Sequence, residues 1–333
     1  MANSLPLAIT MGDPAGTGPE IIAKASAERA FPADTRIVCV GDAGIMQKAA
    51  ALFGDAINIH VINRIEDARF EPGVLDVLHL SHIDLTDLRP GKVQAIAGHA
   101  AYEYVARSIQ AALDKQVAGV VTSALNKEAL HLAGHKYDGH TEIFAALTGT
   151  RRVVMMLASG DFRVTHVSTH VSLQRAIERV RPDRILDVLR VTDRSLRGMG
   201  IASPHIAVAG LNPHSGENGL FGDEEAQYIQ PAINQAINEG IKVSPRPEPP
   251  DTVYVRMLHF KSFDAVVAQY HDQGHIAAKL VDFWGGVNIT LGLPIIRTSV
   301  DHGTAFDLVG TGKARIDSLV NAVAYAQRMA NAK

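Results

Sequence analysis

Six short apolar runs, mostly followed by stretches of helical periodicity, do most to limit how this chain can fold. They are "PLAITMG" (6–12), "RIVCVGD" (36–42), "AGVVTSA" (118–124), "RVTHVST" (163–169), "HIAVAGL" (205–211) and "FDAVVAQY" (263–270). Strands alternating with helices in this way are the pattern of a parallel α/β sheet. The spacing predicts helices over 19–28, 98–115, 173–179, 184–198, 223–239 and 317–330. At 333 residues the chain exceeds what one hydrophobic core usually holds, so two domains with a cleft are expected.

The residues just past each strand matter more than the strands. The runs lead into "DPAGTGPE", "LNK", "NPHSGE" and "HDQGH". In an open α/β sheet ligands bind outside the carboxyl ends of the strands, where loops converge and helix N-termini point at the ligand. Chemistry is therefore expected at that edge.

Composition removes several function classes. With 47% hydrophobic and 20% charged residues the chain is of globular type. A net charge of −3, with 32 scattered basic residues, offers no footprint for a nucleic-acid backbone. No apolar run reaches the ~18 residues of a spanning helix, and "MANSLPLAITMGD" has no secretory pattern, so no membrane association and a cytoplasmic location are expected. Cys39 reads as a small buried strand residue. The 15 histidines are the anomaly.

His60, His79, His82, His131, His205 and His259 read as ordinary structural or surface histidines. His170 in "STHVSL", His214 in "GLNPHSGE" and His271 in "YHDQG" each sit just past an expected strand, with Glu217 and Asp272 close by. Three neutral imidazoles with open positions suit a divalent metal, although such long-range spacing equally allows three unrelated structural residues. His166 and His170 would lie roughly 13 Å apart if their strand continued, too far to share an ion. "GDPAGTGPE" (12–20) is neither a P-loop nor a Rossmann fingerprint. Pro19 fits a first helical turn, which leaves either a tight turn or amides facing an anion or cofactor edge. "DGHTE" (138–142), Lys279, Asn288 and Arg297 form an anion-binding set; Arg297 follows apolar "LGLPII" and would be partly buried. The polar, glycine-rich stretch 298–314 has the length of a functional loop, and "PRPEPPD" (245–251) reads as a stiff surface loop.

Taken together, "MGDPAGTGPEI", "GHTE", "STHVSL", "GLNPHSGE", "YHDQGHIAAK", "VNITLGLPIIRTS" and "DHGTAFDLVGTGKA" resemble, in order and nearly end to end, the 4-hydroxythreonine-4-phosphate dehydrogenase family. The family is related to the isocitrate and isopropylmalate dehydrogenases. The resemblance implies an α/β fold of two α/β/α domains flanking a cleft: residues 1–125 plus 290–333 with the cofactor loops, and 126–289 with the metal ligands and dimer interface. It implies that His170, His214 and His271 hold one divalent cation (Zn, Mg, Mn or Co). His140, Thr141, Lys279, Asn288 and Arg297 would bind a small phosphorylated hydroxy acid. NAD would lie on the loops 12–20 and 301–312, through Gly12, Asp13, Gly16, His302, Gly303, Thr304 and Asp307. A homodimer is implied, with a shared active site to which the neighbouring subunit contributes His271. At His275 and at "YDG" (137–139) the sequence is more similar to the catabolic branch, the 4-phospho-D-threonate and 4-phospho-D-erythronate 3-dehydrogenases. That points to metal-dependent oxidation at C3 with decarboxylation to dihydroxyacetone phosphate. The alternatives are the vitamin B6 dehydrogenase and a non-catalytic phosphometabolite-binding protein. Asp272, Asp251 and Lys127, expected in loops near the cleft, are the candidate proton-transfer groups.

Overall fold

All six apolar runs form strands in the computed structural model, which describes residues 5–80, 83–84 and 86–332; His82 lies outside them. The strands are β1 (Leu7–Thr10), β2 (Ile37–Gly41), β3 (Asn58–Ile62), β4 (Val74–His79), β5 (Gly119–Thr122), β6 (Val154–Ser159), β7 (Phe162–His166), β8 (Ile206–Val208), β9 (Ala265–Ala268), β10 (Val287–Leu291) and β11 (Arg297–Val300). The helices are α1 (Gly18–Ala27), α2 (Ala43–Ala51), α3 (Ala95–Leu113), α4 (Lys127–Leu132), α5 (His140–Leu147), α6 (Leu173–Glu178), α7 (Pro182–Gly198), α8 (Gln230–Asn238), α9 (Val253–Phe260), α10 (His271–Val281) and α11 (Asp317–Asn331). None is long and apolar enough to cross a membrane.

The chain divides into two compact units. One runs through Arg151 and resumes over Leu293–Asn331; the other is Arg152–Gly292 with the residues after Asn331. The expected boundaries at 125/126 and 289/290 therefore move. Residues 126–151 stay with the first unit because α4 packs tightly on α3: a Cβ on Gly98 would lie 2.1 Å from the Ala129 carbonyl oxygen, an approach only glycine permits.

In the first unit the strand order is β3-β4-β2-β1-β5-β11, all parallel. Its central strands are buried along their whole length, as expected of a sheet covered on both faces. In the second unit the order is β10-β6-β7-β9-β8, and the sheet is mixed: β6 pairs antiparallel with β10 and β7, whereas β7, β9 and β8 run parallel. Gly160, left-handed at φ 55°, supports the short β6–β7 turn.

The segment 245–251 is not a plain surface loop. Glu248 donates its N–H to the Val208 carbonyl and its own carbonyl accepts from Gly210, which extends the edge beside β8. The structural histidines have local partners: His60 Nδ1 meets Asp76 at 2.6 Å, His79 Nδ1 accepts from Ala43 N, His131 Nε2 donates to the Tyr137 carbonyl, and His205 packs edge-on against Phe263.

Candidate active site

In the first unit β1 runs straight into the glycine-rich turn. Gly12 is left-handed, φ 77°, and a Cβ there would lie 2.4 Å from the Ala124 carbonyl oxygen. Asp13 donates its N–H to that carbonyl, and its Oδ1 accepts from Ala15 N at 2.8 Å. Burial pushes the Asp13 carboxyl up to about 6, against the opposing pull of the Ala15 N–H. At Gly16 the loop 301–314 closes in, with a Cβ 3.1 Å from Thr304 Cβ, and the Thr304 carbonyl accepts from both Thr17 N and Thr17 Oγ1.

Helix α1 then grips the same loop. The Glu20 carboxylate accepts from Gly310 N and Gly312 N, and Lys24 Nζ donates to the Gly312 and Ala314 carbonyls at 3.2 Å each. The two segments expected to form cofactor loops are thus tied together. Gly12, Asp13 and Gly16 lie buried beneath, Thr304 is nearly so, and His302, Gly303 and Asp307 are the exposed members. Sequence reasoning missed Glu20 and Lys24; their signal was an acid and a base four residues apart directly after Pro19.

The same unit assembles an anion site. His140 opens α5, with Thr141 next. Burial, with the Arg297 charge adding to it, holds the His140 imidazole well below its ordinary range, and its Nε2 is buried with no hydrogen-bond partner among the described residues. Arg297 opens β11 and is 2% exposed. It donates from Nη2 to Thr122 Oγ1 at 2.9 Å and lies over the Phe144 ring at 5.6 Å. Burial pushes it down to about 9, with Glu142 opposing. A buried guanidinium beside a half-buried imidazole at a helix N-terminus suits a small anion, which would give the His140 Nε2 a partner. Lys127, expected in a loop, is instead the first residue of α4, whose Asn126 cap accepts from Ala129 N. Its Cε lies 3.7 Å from the position of a Cβ on Gly139, beside His140.

In the second unit "HDQGHIAAK" is not a loop after β9 but the start of α10, with Asp272 in its first turn. The helix forms because Ala277, Ala278 and Val281 pack on the core around β7 and β9. Gly274 is required there: a Cβ would lie 2.4 Å from His166 Nε2. His275 Nδ1 donates to the His271 carbonyl at 3.0 Å, and the two rings stack at 3.6 Å. His166 sits 4.7 Å from the His275 ring and His170 sits 5.7 Å from the His271 ring, between centroids. β7 ends at His166, so the uninterrupted strand on which the expected separation from His170 depended is not present. Burial, then the neighbouring His275, pushes His166 down to about 3.

His170, His271 and Asp272 line one pocket with Tyr270. His214 lines another with Glu217, Asp223 and Arg246. Among the described residues no three His, Cys, Asp or Glu side chains are grouped to hold a metal ion. One chain thus brings together two of the three expected ligands, and His271 stands against His170 of its own chain. The donor chemistry fits a divalent ion: Asp272 Oδ1 accepts a hydrogen bond from His271 Nδ1 at 2.6 Å, which fixes the tautomer and leaves Nε2 to coordinate. Asp251 lies exposed in the turn before α9, Lys279 Nζ lies 5.5 Å over the Phe283 ring, and the Asn288 Oδ1 is buried with no partner among the described residues.

Residues 33–326 match the family model described as "Pyridoxal phosphate biosynthetic protein PdxA". The chain belongs to the PdxA family. It is 46% identical to a D-threonate 4-phosphate dehydrogenase of Salmonella typhimurium, over 97% of this chain and 98% of that protein. It is 47% identical to a 4-hydroxythreonine-4-phosphate dehydrogenase of Beijerinckia indica, over 97% and 95%. The crystal structure of a Klebsiella pneumoniae 4-hydroxythreonine-4-phosphate dehydrogenase matches it with a TM-score of 0.89 at 45% identity, covering 98% of this chain and all of that one. The PdxA-family chain is a dehydrogenase acting on a CH–OH group, chemistry that calls for a nicotinamide cofactor as hydride acceptor.

Proposed function

We propose that this dehydrogenase carries out the metal-dependent, NAD-linked oxidation of the C3 hydroxyl of 4-phospho-D-threonate or 4-phospho-D-erythronate, with decarboxylation to dihydroxyacetone phosphate. The observation that carries the reading is the buried Arg297 beside the half-buried His140, whose Nε2 is buried, at the start of α5, a cradle of the right charge for a phosphate. Thr141 adds a hydroxyl, and Lys279 and Asn288 are proposed as further substrate contacts. NAD is placed against the tied segments 12–20 and 301–312, where His302, Gly303 and Asp307 are open to it and Gly12, Asp13, Gly16 and Thr304 support them from beneath.

Lys127, beside Gly139 and His140, is the proton-transfer candidate that the anion site brings nearest. Asp272 is held to His271 and would orient that ring, and Asp251 is the remaining candidate. His170, His214 and His271 would hold the divalent ion, with a second copy of the chain supplying what one copy leaves apart; when bound, the ion would polarise the C3 oxygen. Leu280, 83% exposed, with Ile276, Phe283 and Trp284, gives α10 an uncovered apolar face that supports a homodimer. The four-carbon sugar acids are favoured over the vitamin B6 precursor because the sequence is more similar to the catabolic branch at residues 137–139 and at His275, which stacks on His271. The cytoplasm is the proposed compartment.

Absorbance of NADH with 4-phospho-D-erythronate, 4-phospho-D-threonate and 4-phosphohydroxy-L-threonine side by side, with and without chelator, tests this. Turnover of the first two that chelator abolishes is the expected result. Preference for the third would establish the vitamin B6 reading, and binding of all three without NADH formation would make the chain a non-catalytic binder.

A further inference from the structure

Between β8 and α8 the backbone does something a chain of L-residues avoids. His214, Ser215, Gly216, Glu217 and Asn218 run consecutively left-handed, with φ of 51°, 56°, 79°, 42° and 57°, and only one of them is glycine. Left-handed residues normally occur singly, so such a run persists only where surrounding groups over-determine it, and stored strain of this kind collects at functional sites.

One side chain does most of the holding. Glu225 is 7% exposed, and its Oε1 accepts from both Leu211 N and Asn212 N at 2.7 Å, the two residues that lead into Pro213 and His214. Its Oε2 accepts from Asn212 Nδ2 at 3.0 Å, and Glu224 accepts from the same amide at 2.7 Å. The loop is wrapped onto that carboxylate, since a Cβ on Gly216 would lie 2.8 Å from Glu225 Oε2. Glu225 also opens a π-turn, Glu225–Ile229, ahead of α8; such turns insert a residue at a cost and are frequent where a side chain must be aimed. Beyond the strained run, Phe221 returns to within 6.4 Å of the His214 ring.

We propose that Glu225 is a positioning residue: its buried carboxylate fixes the entry to the left-handed 214–218 segment and thereby the direction in which His214 is presented. Four charge-assisted or backbone hydrogen bonds converge on residues 211 and 212, and none reaches the imidazole itself. Glu225 acts on His214 through the backbone alone. The inference rests on the reading of His214 as a metal ligand.

The test is Mn²⁺ titration calorimetry on the chelator-stripped full-length chain, with limited proteolysis of the 212–222 segment, for wild type, Glu225→Ala, Glu225→Gln and His214→Ala. Glu225→Ala should weaken Mn²⁺ binding about 10- to 100-fold and open the segment to protease. Glu225→Gln should fall between, because its amide oxygen still accepts from the two backbone N–H groups while its NH₂ meets the Asn212 amide as a second donor. Wild-type affinity in Glu225→Ala, with binding lost in His214→Ala, overturns the inference and leaves the metal reading standing. Wild-type affinity in His214→Ala overturns both. Should Glu225→Ala not fold, the comparison is made on Glu225→Gln, where wild-type affinity overturns the proposal.

Discussion

Two glycine-bearing helix starts, one in each unit, are built on opposite terms. At the start of α1, Gly12 and Gly18 face backbone oxygens, those of Ala124 and Met11, and a second loop is bonded over the top by Glu20 and Lys24. At the start of α10, Gly274 faces a side chain, that of His166, and the helix leaves Ile276 and Leu280 exposed. The first arrangement is closed beneath by backbone contacts, with only the outer residues His302, Gly303 and Asp307 open. The second has imidazoles stacked on one another, an uncovered apolar face, and a ligand set that one chain does not complete. On the proposed function, the first unit would anchor the phosphorylated substrate, and the other would depend on an ion and a second copy.

The largest effect should come from the anchor. Arg297→Met is expected to lower kcat/KM by about a thousandfold, the loss of roughly two charge-assisted hydrogen bonds to a phosphate. The same change should leave the urea midpoint unaltered or raise it, since an apolar side chain replaces a buried charge. A variant that instead unfolds readily with intact kinetics would make Arg297 a structural residue.

Next come the glycines. Gly12→Ala meets backbone and must hold a left-handed Ala, so about 3 kcal/mol of stability should go. Gly274→Ala meets side chains, His166 Nε2 at 2.4 Å and Val164 Cγ1 at 2.7 Å, which must both shift while α10 gains helix propensity, so about 2 kcal/mol is expected. Urea unfolding of both variants checks the order; equal losses would erase the contrast between the two helix starts.

The last effect, a pH slope, is no larger than the Gly274→Ala loss. His166 titrates at about 3 in the folded chain against 6.5 unfolded, so between those values the unfolded state binds the extra proton and stability falls as pH falls. His140, also depressed, acts in the same direction. Asp13, raised to about 6 from 3.8, opposes them, because there the folded state binds the proton. His166→Gln should therefore reduce the stability lost between pH 6.5 and about pH 4.5 by up to roughly 2 kcal/mol. An unchanged difference in urea midpoints would show that His166 is not buried in solution.

Much of the architecture was legible because apolar runs bury themselves wherever they fall in a chain. The six runs became β1, β2, β5, β7, β8 and β9. Edge strand β3 was not legible, being short and mostly open to solvent, nor was β4, whose buried Asp76 breaks the apolar pattern until its bond to His60 is seen. Helix α10 was read as a loop because histidine, aspartate and glycine are weak helix formers; packing of its other face on β7 and β9 overrides them. The expected helix over 223–239 exists but is broken by the π-turn at Glu225, which no periodicity records.

The sequence by itself determined the strands and their order of chemistry: which residue types stand after each apolar run, and that cations and imidazoles gather there. Only the tertiary structure decided which of them meet. It joined Arg297 to His140, put His166, His170, His271 and His275 together, and left His214 in a pocket of its own on a backbone held by Glu225. The reason is physical. Burial of apolar surface is local and additive along the chain, whereas the partners of a charge, an imidazole or a left-handed residue are set by distances that close only when remote segments pack.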